Sequence, residues 1–334
     1  VTVSGLQQNR VPLCWIAGCF VLAAVLLLSL LLGPRPIAPS AIVDILLGHQ
    51  HEDAALILHG RLPRTVLALL VGIALGLSGI VMQAMTRNPL ADPGILGINA
   101  GAGFAVVLVV ALFNLTGLVA IMSAALLGTF ITSILVFLLG RLSSISAHPA
   151  HFVLAGVAIN AVLGGIASAI TLLNPAAFER IRFWNAGSVE ILDLMPVLSA
   201  APLFAIGMVL ALLLATPLNA LVLGQQTASA LGVDSRRVLP LALLALTLLV
   251  GCSTALAGPI GFVGLMIPHL ARWLVGQEHR LMMAFTCLLS PTLLISADIL
   301  GRFLLTNGLR VSVVTAVIGA PVMIWLVRRQ ERRG

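Results

Sequence analysis

Apolar residues in this chain fall in long runs separated by short polar stretches, the pattern of a polypeptide that crosses a bilayer repeatedly. One crossing takes about 20 predominantly apolar residues. Hydropathy predicts about ten spans, near 13–32, 66–85, 95–113, 118–139, 152–173, 195–215, 238–257, 260–274, 281–300 and 311–327. The eighth is short and contains Pro268. The expected fold is therefore all-α, a polytopic membrane protein in which residues 1–334 form a single transmembrane domain. The first run exceeds the apolar stretch of a secretion signal and lacks a small-residue cleavage site before Gly33, so it is expected to be retained. An even number of spans leaves both termini on one side. The tail arginines Arg328, Arg329, Arg332 and Arg333 predict that side to be the cytoplasm. With this topology eleven arginines fall inside and seven outside (Arg35, Arg61, Arg64, Arg180, Arg182, Arg302 and Arg310), a modest bias of the expected sign.

Composition narrows the function. Hydrophobic residues make up 60% of the chain, charged residues 9%, and the mean hydropathy is +1.14. A soluble domain carries about a quarter charged residues. The 18 basic residues are all arginine. A P-loop needs a lysine in its phosphate cradle, so an ATP-driven role requires a partner ATPase. The net charge of +7 is scattered between apolar runs and forms no nucleic-acid face. Cys14, Cys19, Cys252 and Cys287 lie in apolar runs without metal-type spacing and read as buried free thiols. The segment 34–60 gathers Asp44, His49, His51, Glu52, Asp53 and His59, but without an anchoring helical pair it reads as a solvated loop, not a metal site.

Several stretches carry more information. The second span opens with Arg61 and Arg64, sets Gly72, Gly76 and Gly79 on a packing stripe, and breaks at Asn88-Pro89-Leu90-Ala91-Asp92-Pro93-Gly94. The fifth span carries Gly156, Asn160, Gly164, Gly165, Ser168 and Thr171, which fits either close helix packing or the lining of a pathway. The outer segment 174–188 holds Arg180, Arg182, Phe183 and Trp184 and closes in a turn; its aromatics could anchor at a headgroup boundary. The inner loop 217–237 suits two short amphipathic helices and a cytoplasmic partner. His269 reads as a hydrogen-bonded histidine, and Asp298 with Arg302 at i, i+4 as an ion pair near the outer boundary. No internal repeat is visible at residue level, although transporters often contain one.

Four strings are specific in combination: Gln83-x-x-x-x-Asn88-Pro89-Leu90-Ala91-x-Pro93, Trp184-x-x-Gly187-Ser188, Gly258-x-x-Gly261-Phe262-x-Gly264-Leu265-x-x-Pro268-His269, and Ala297-Asp298-Ile299-Leu300-Gly301-Arg302 followed by the run from Arg310 to Pro321. With them the chain resembles the permease family of ABC importers for iron-siderophores and vitamin B12, from Arg61 to Pro321 at least. The resemblance implies the type II ABC importer permease architecture. It also implies a second permease subunit (a paralogue is expected), two cytoplasmic ATPases that use ATP and Mg, and a periplasmic siderophore-binding protein. No cofactor is expected on this chain, and its setting would be the bacterial inner membrane. Arg61, Arg64 and Arg302 match the family's binding-protein docking positions, and Arg310 joins them on charge alone. Ala228, Leu231 and Gly232 match the loop that seats against the ATPase. Candidate pathway residues are Asn160, Ser168, Thr171, Arg180, Arg182 and Trp184. The family's inner gate would fall in 140–151, where Pro149 and Ala150 replace small hydroxylated residues. The strings beginning at Arg182 and Arg310 look closest to the ferric-enterobactin members. A vitamin B12 or haem permease is the alternative within the family. An ion-coupled secondary transporter would want carboxylates at the membrane centre, and Asp298, the only candidate, sits near an outer edge. No catalytic constellation is present in the sequence.

Overall fold

The computed structural model describes residues 10–33, 35, 37–40, 47, 54–141, 149–304 and 308–331. Its first helix is α1 (Arg10–Leu31). A π-helical turn, Ile57–Arg61, leads into α2 (Leu62–Thr86), with Pro63 in its first turn. A 3-10 turn, Pro93–Leu96, precedes α3 (Ile98–Phe113), followed by α4 (Leu118–Arg141) and α5 (Pro149–Leu173). A short α6 (Pro175–Asn185) leads to α7 (Met195–Leu213), and two small helices follow, α8 (Ala215–Val222) and α9 (Gln225–Ala230). The chain continues as α10 (Ser235–Ala257), α11 (Val263–Val275), α12 (His279–Leu304) and α13 (Val311–Glu331). Among the described residues seven helices are long and apolar enough to cross a membrane, and α3, α11 and the apolar part of α13 are shorter apolar helices. Every expected span coincides with a helix, and no strand occurs among the described residues. The inner loop forms the two small helices its pattern predicts.

The segment 174–188 is more ordered than its turn residues imply. Asn174 Oδ1 accepts the amide of Ala177 at 3.0 Å and Pro175 follows, so an N-cap and an N1 proline start α6 there. Cys19 also departs from expectation: its thiol lies on the exposed side of α1, whereas Cys252 is buried.

Helices α2 and α10 form the centre, with about four-fifths of their apolar windows buried, and α1, α5 and α7 are peripheral. The glycine stripe explains why α2 can lie so deep. A Cβ on Gly72 would stand 2.6 Å from the Cα of Pro291 on α12, and one on Gly79 would stand 1.9 Å from the carbonyl oxygen of Gly264 on α11. Helix backbones thus touch where side chains would hold them apart.

At its far end α2 stops at Arg87, left-handed at φ 51°. Asn88 Oδ1 then accepts the amide of Leu90 at 2.9 Å, and Asp92 Oδ1 that of Gly94 at 2.8 Å. These two side-chain turns fold the chain back towards α3. Gln83 donates to the carbonyls of Gly264 and Leu265 (3.5 and 3.4 Å) and accepts from Arg272 Nη2 at 3.1 Å, so two strings far apart in sequence pack on each other. His269 Nδ1 lies 3.3 Å from the Leu265 carbonyl, as a hydrogen-bonded histidine should. The end of α1 and the start of α2 meet the end of α12, so α1 and α2 run in opposite directions and α12 runs parallel to α1.

The close approach predicts a contrast. Gly79→Val is expected to destabilise the fold by about 1–3 kcal/mol, the usual cost of overpacking. Gly164→Val, with nothing within 4 Å of its Cβ position, is expected to leave thermal unfolding of the detergent-solubilised chain unchanged. Equal behaviour of the two variants would refute the packing account.

Candidate functional site

The end of the bundle formed by the close of α1 and the start of α2 collects arginines around one carboxylate. Asp298 on α12, 1% exposed, accepts from Arg64 Nη2 at 2.7 Å and from Arg302 Nη2 at 2.7 Å. Arg64 Nε lies 2.9 Å from both oxygens, and Arg302 Nε lies 3.1 Å from Oδ2. Arg302 continues into α1: Nη1 donates to the carbonyls of Ser29 and Leu32 at 2.7 and 2.9 Å, and Nη2 to Ser29 Oγ at 3.0 Å. Arg61 Nη1 donates to the Leu30 carbonyl at 2.7 Å, and Nη2 to that of Arg35. The last carbonyls of a helix have no partner within it and carry the negative end of its dipole. Two guanidinium groups supply that partner for α1.

All four arginines expected to dock a partner line a single cavity here, of about 520 Å³, together with Arg35, Ser188 and Glu190. They are not equivalent. Arg302, with a side chain 5% exposed, is consumed by Asp298 and α1, and Arg61 is buried among α1 carbonyls. Their hydrogen bonds tie helix ends together. Arg64, 19% exposed, keeps a free edge. Arg310 donates to the Phe183 carbonyl and lies over that ring, its Cζ 5.1 Å from the centroid.

Beside this cavity lies a second, of about 280 Å³, with Arg180, Phe183, Trp184 and Arg310 on its wall. The backbone around Trp184 is fixed from two sides. Ser188 N donates to the Ala257 carbonyl at 2.7 Å, and Ser312 Oγ to that of Ala186 at 2.6 Å. Arg182 is outside this cavity, paired with Glu179 at 2.8 Å. Asn160 and Ser168 lie on an exposed face of α5 some distance along the helix from these groups, and Thr171 is half-buried and bonded back to Ala167 at 3.0 Å. The structure therefore brings Arg180 and Trp184 together and leaves the α5 residues on their own face. Residues 142–148 of the expected gate, and His49, His51, Glu52 and Asp53 of the polar loop, lie outside the described residues.

At the opposite end α8 lies beside the start of α12, with α9 packed against α8. Ala228 is buried, Leu231 is 63% exposed, and Gly232, at φ +80°, has nothing near its Cβ position. Three residues not singled out from sequence tie this region together. Asn219 Oδ1 accepts the His279 amide at 3.1 Å and its Nδ2 donates to Glu278 at 3.2 Å, while Glu278 takes the amides of Arg280 and Leu281 at 3.0 and 2.8 Å. Glu278 is the N-cap of α12, a role its place before an apolar run could have signalled. The Asn219 contact joins residues 60 apart and had no sequence signal. Burial alone would raise the Glu278 carboxyl; the two amides, Asn219 and the Arg280 charge outweigh it and hold the group below its ordinary value.

Long apolar helices packed through glycines, with an arginine-lined recess at one end and a short helix pair at the other, define a multi-pass membrane transport subunit. The chain belongs to the FecCD transport family, whose model matches residues 21–329. It is 47% identical over 308 residues, 92% of each chain, to the ferric enterobactin transport system permease protein FepD of Escherichia coli (strain K12). It is 37% identical to the hemin transport system permease protein HmuU of Yersinia pestis, over 82% of this chain and 83% of that one. Its fold matches a structure described as an inward-facing conformation of a metal-chelate type ABC transporter, with TM-score 0.82 and 30% identity over 95% of this chain and 99% of the other. The all-α membrane fold and the permease role read from sequence are borne out.

Two outcomes follow from the geometry. Asp298→Asn leaves two guanidinium groups facing each other without their counter-charge and is expected to cost about 3–5 kcal/mol. An unchanged unfolding temperature in detergent would show that the clamp carries no stability. The Glu278 carboxyl, depressed on folding, contributes stability that is present above its unfolded value near 4.5 and lost as pH falls through the lower folded value. Glu278→Gln should therefore lower stability at neutral pH and leave it little changed below the folded value, flattening that part of the acid limb of the stability–pH curve.

Proposed function

We propose that this chain is the translocation subunit of an ATP-driven importer that carries a ferric siderophore, ferric enterobactin or a related catecholate, across a bacterial inner membrane. The observation that carries the reading is the 47% identity, along 92% of both chains, to a permease named for ferric enterobactin. The arginine recess supports it. A binding protein that presents acidic side chains would meet Arg64 and Arg310 there, with Arg35 at the edge, while Arg61 and Arg302 hold the recess in shape. Arginine suits this task because its planar fork pairs with carboxylates bidentately and keeps its charge.

The recess then faces the periplasm, and the α8–α9 side, from which α10 and α12 start, faces the cytoplasm. Leu231 and Gly232 form the exposed seat for the ATPase and Ala228 supports it from within. Two such ATPases use ATP and Mg, and this chain binds no cofactor itself. A second permease, a paralogue, completes the pathway; Asn160, Ser168 and Thr171 of α5 line it, and Arg180, Arg182 and Trp184 stand at its mouth.

Uptake of radio-iron as ferric enterobactin, in cells with and without the gene and with labelled cobalamin alongside, tests the substrate. Loss of iron uptake alone is expected; loss of cobalamin uptake alone would replace the substrate, and no change in either would remove the assignment. Arg64→Glu with Arg310→Glu is expected to weaken binding-protein docking by at least about tenfold, on the scale of losing charge-assisted contacts. Unchanged affinity in detergent would remove the docking role.

A further inference from the structure

Most acidic side chains among the described residues are engaged. Asp92, Asp193, Asp234 and Glu278 accept backbone amides, Glu179 pairs with Arg182, and Asp298 holds two arginines. Glu190 is the exception: its carboxylate makes no hydrogen bond or ion pair with any described residue. It nevertheless stands where a pair would be easy to form. Glu190 lines the arginine recess with Arg35, Arg61, Arg64, Arg302 and Arg310, and it is the one acid among the described residues of that wall. Its charge reaches Arg302 through space, but no contact joins them.

The backbone around Glu190 is fixed. Ser188 Oγ accepts the Glu190 amide at 3.1 Å, and Ser188 N donates to the Ala257 carbonyl at 2.7 Å. On the other side, Asp193 Oδ1 accepts the amide of Met195 at 2.9 Å, where α7 starts. Val189 and Ile191 are packed into the apolar core, and Glu190 between them is exposed. A firmly held segment thus presents this carboxylate at the recess.

Two uses are open to a carboxylate so placed. It can relieve repulsion among the arginines, or it can receive a positive group from outside. The first use is already served: Asp298 answers Arg64 and Arg302, and Arg61 and Arg310 donate to the Leu30 and Phe183 carbonyls. Against a partner that presents only acids, an unpaired Glu190 would weaken docking, because like charges brought together at an interface repel. A partner with a basic group among its acids removes that repulsion and gains a pair.

We propose that Glu190 receives a lysine or arginine side chain of the binding protein, set among the acids that meet Arg64 and Arg310. Charges of both signs then define one docking register and penalise a face that is acidic throughout. The proposal rests on the docking reading above and adds a specificity-determining residue to it.

Affinity of the periplasmic binding protein of the same cells for the complete permease–ATPase complex in lipid nanodiscs tests it. The sign of the change decides. Glu190→Gln makes the recess more positive, yet it is expected to raise Kd about two- to fivefold, the size of one exposed ion pair. Glu190→Arg should raise Kd further. Reversing one basic residue on the docking face of the binding protein to Glu should recover most of that loss, while weakening binding to the native permease. Unchanged or lower Kd in Glu190→Gln would overturn the proposal, a lower one showing that Glu190 only opposes an acidic partner. Failure of every such reversal to rescue Glu190→Arg would overturn it too. If Glu190→Arg fails to assemble, Glu190→Gln decides alone. Arg64→Glu with Arg310→Glu in the same assay separates the two readings. Weakened docking there, beside an unchanged Glu190→Gln, keeps the docking role and removes only this proposal; unchanged docking in all variants removes both.

Discussion

A carboxylate that is 1% exposed must be answered by positive charge, and at Asp298 two arginines answer it. That constraint organises one end of the molecule. Asp298 and Arg302 come from α12, Arg64 from α2, and the carbonyls that take the remaining Arg302 protons from α1. A buried ion cluster of this kind is weak evidence of net stability, because desolvation offsets much of the Coulomb gain. Its geometric effect is stronger. Three helix ends must keep one register, since a shift in any of them strands a charge. The exposed edge of Arg64 is therefore held at a fixed place in the recess.

The same helices are joined in their middle by the absence of side chains. Gly72 and Gly79 let α2 approach α12 and α11 to backbone contact. In a bilayer, apolar burial gives little drive for helix association, and close packing with interhelical polar contacts supplies more of it. This accounts for the contrast between the buried α2 and α10 and the peripheral α1 and α5. The peripheral helices display large apolar side chains, such as Phe20 at 75% and Leu173 at 87% exposure. In water these would be a liability; against lipid tails they carry no penalty.

At the other end, Asn219 and Glu278 tie α8 to the first turn of α12. The helix whose far end carries Asp298 thus begins at the loop proposed to seat the ATPase. One rigid element has polar fastenings at both ends of the bundle, so a displacement at one fastening meets resistance at the other.

Much of this was legible in the linear pattern. Run length and hydropathy located every long helix, and the amphipathic inner loop announced its two short ones. Asp298 and Arg302, four residues apart on one helix, were recognisable as a pair because the α-helical repeat puts such residues on one face. What the sequence could not supply was any partner more than a turn or two away. Arg64 lies 234 residues before Asp298, and nothing in local spacing joins them. For the same reason the α1 carbonyls and Ser29 hydroxyl that take the remaining Arg302 protons could not be read from its own segment. That the Glu190 carboxylate is unpaired among the described residues is likewise invisible in one dimension, since an unmet hydrogen bond is defined by everything packed around it. The sequence by itself determined which segments are helical and that they belong in a membrane, because those follow from local periodicity and transfer energy. Only the tertiary structure decided which arginines are buried and paired and which stay partly exposed, because burial and pairing are properties of the packed whole.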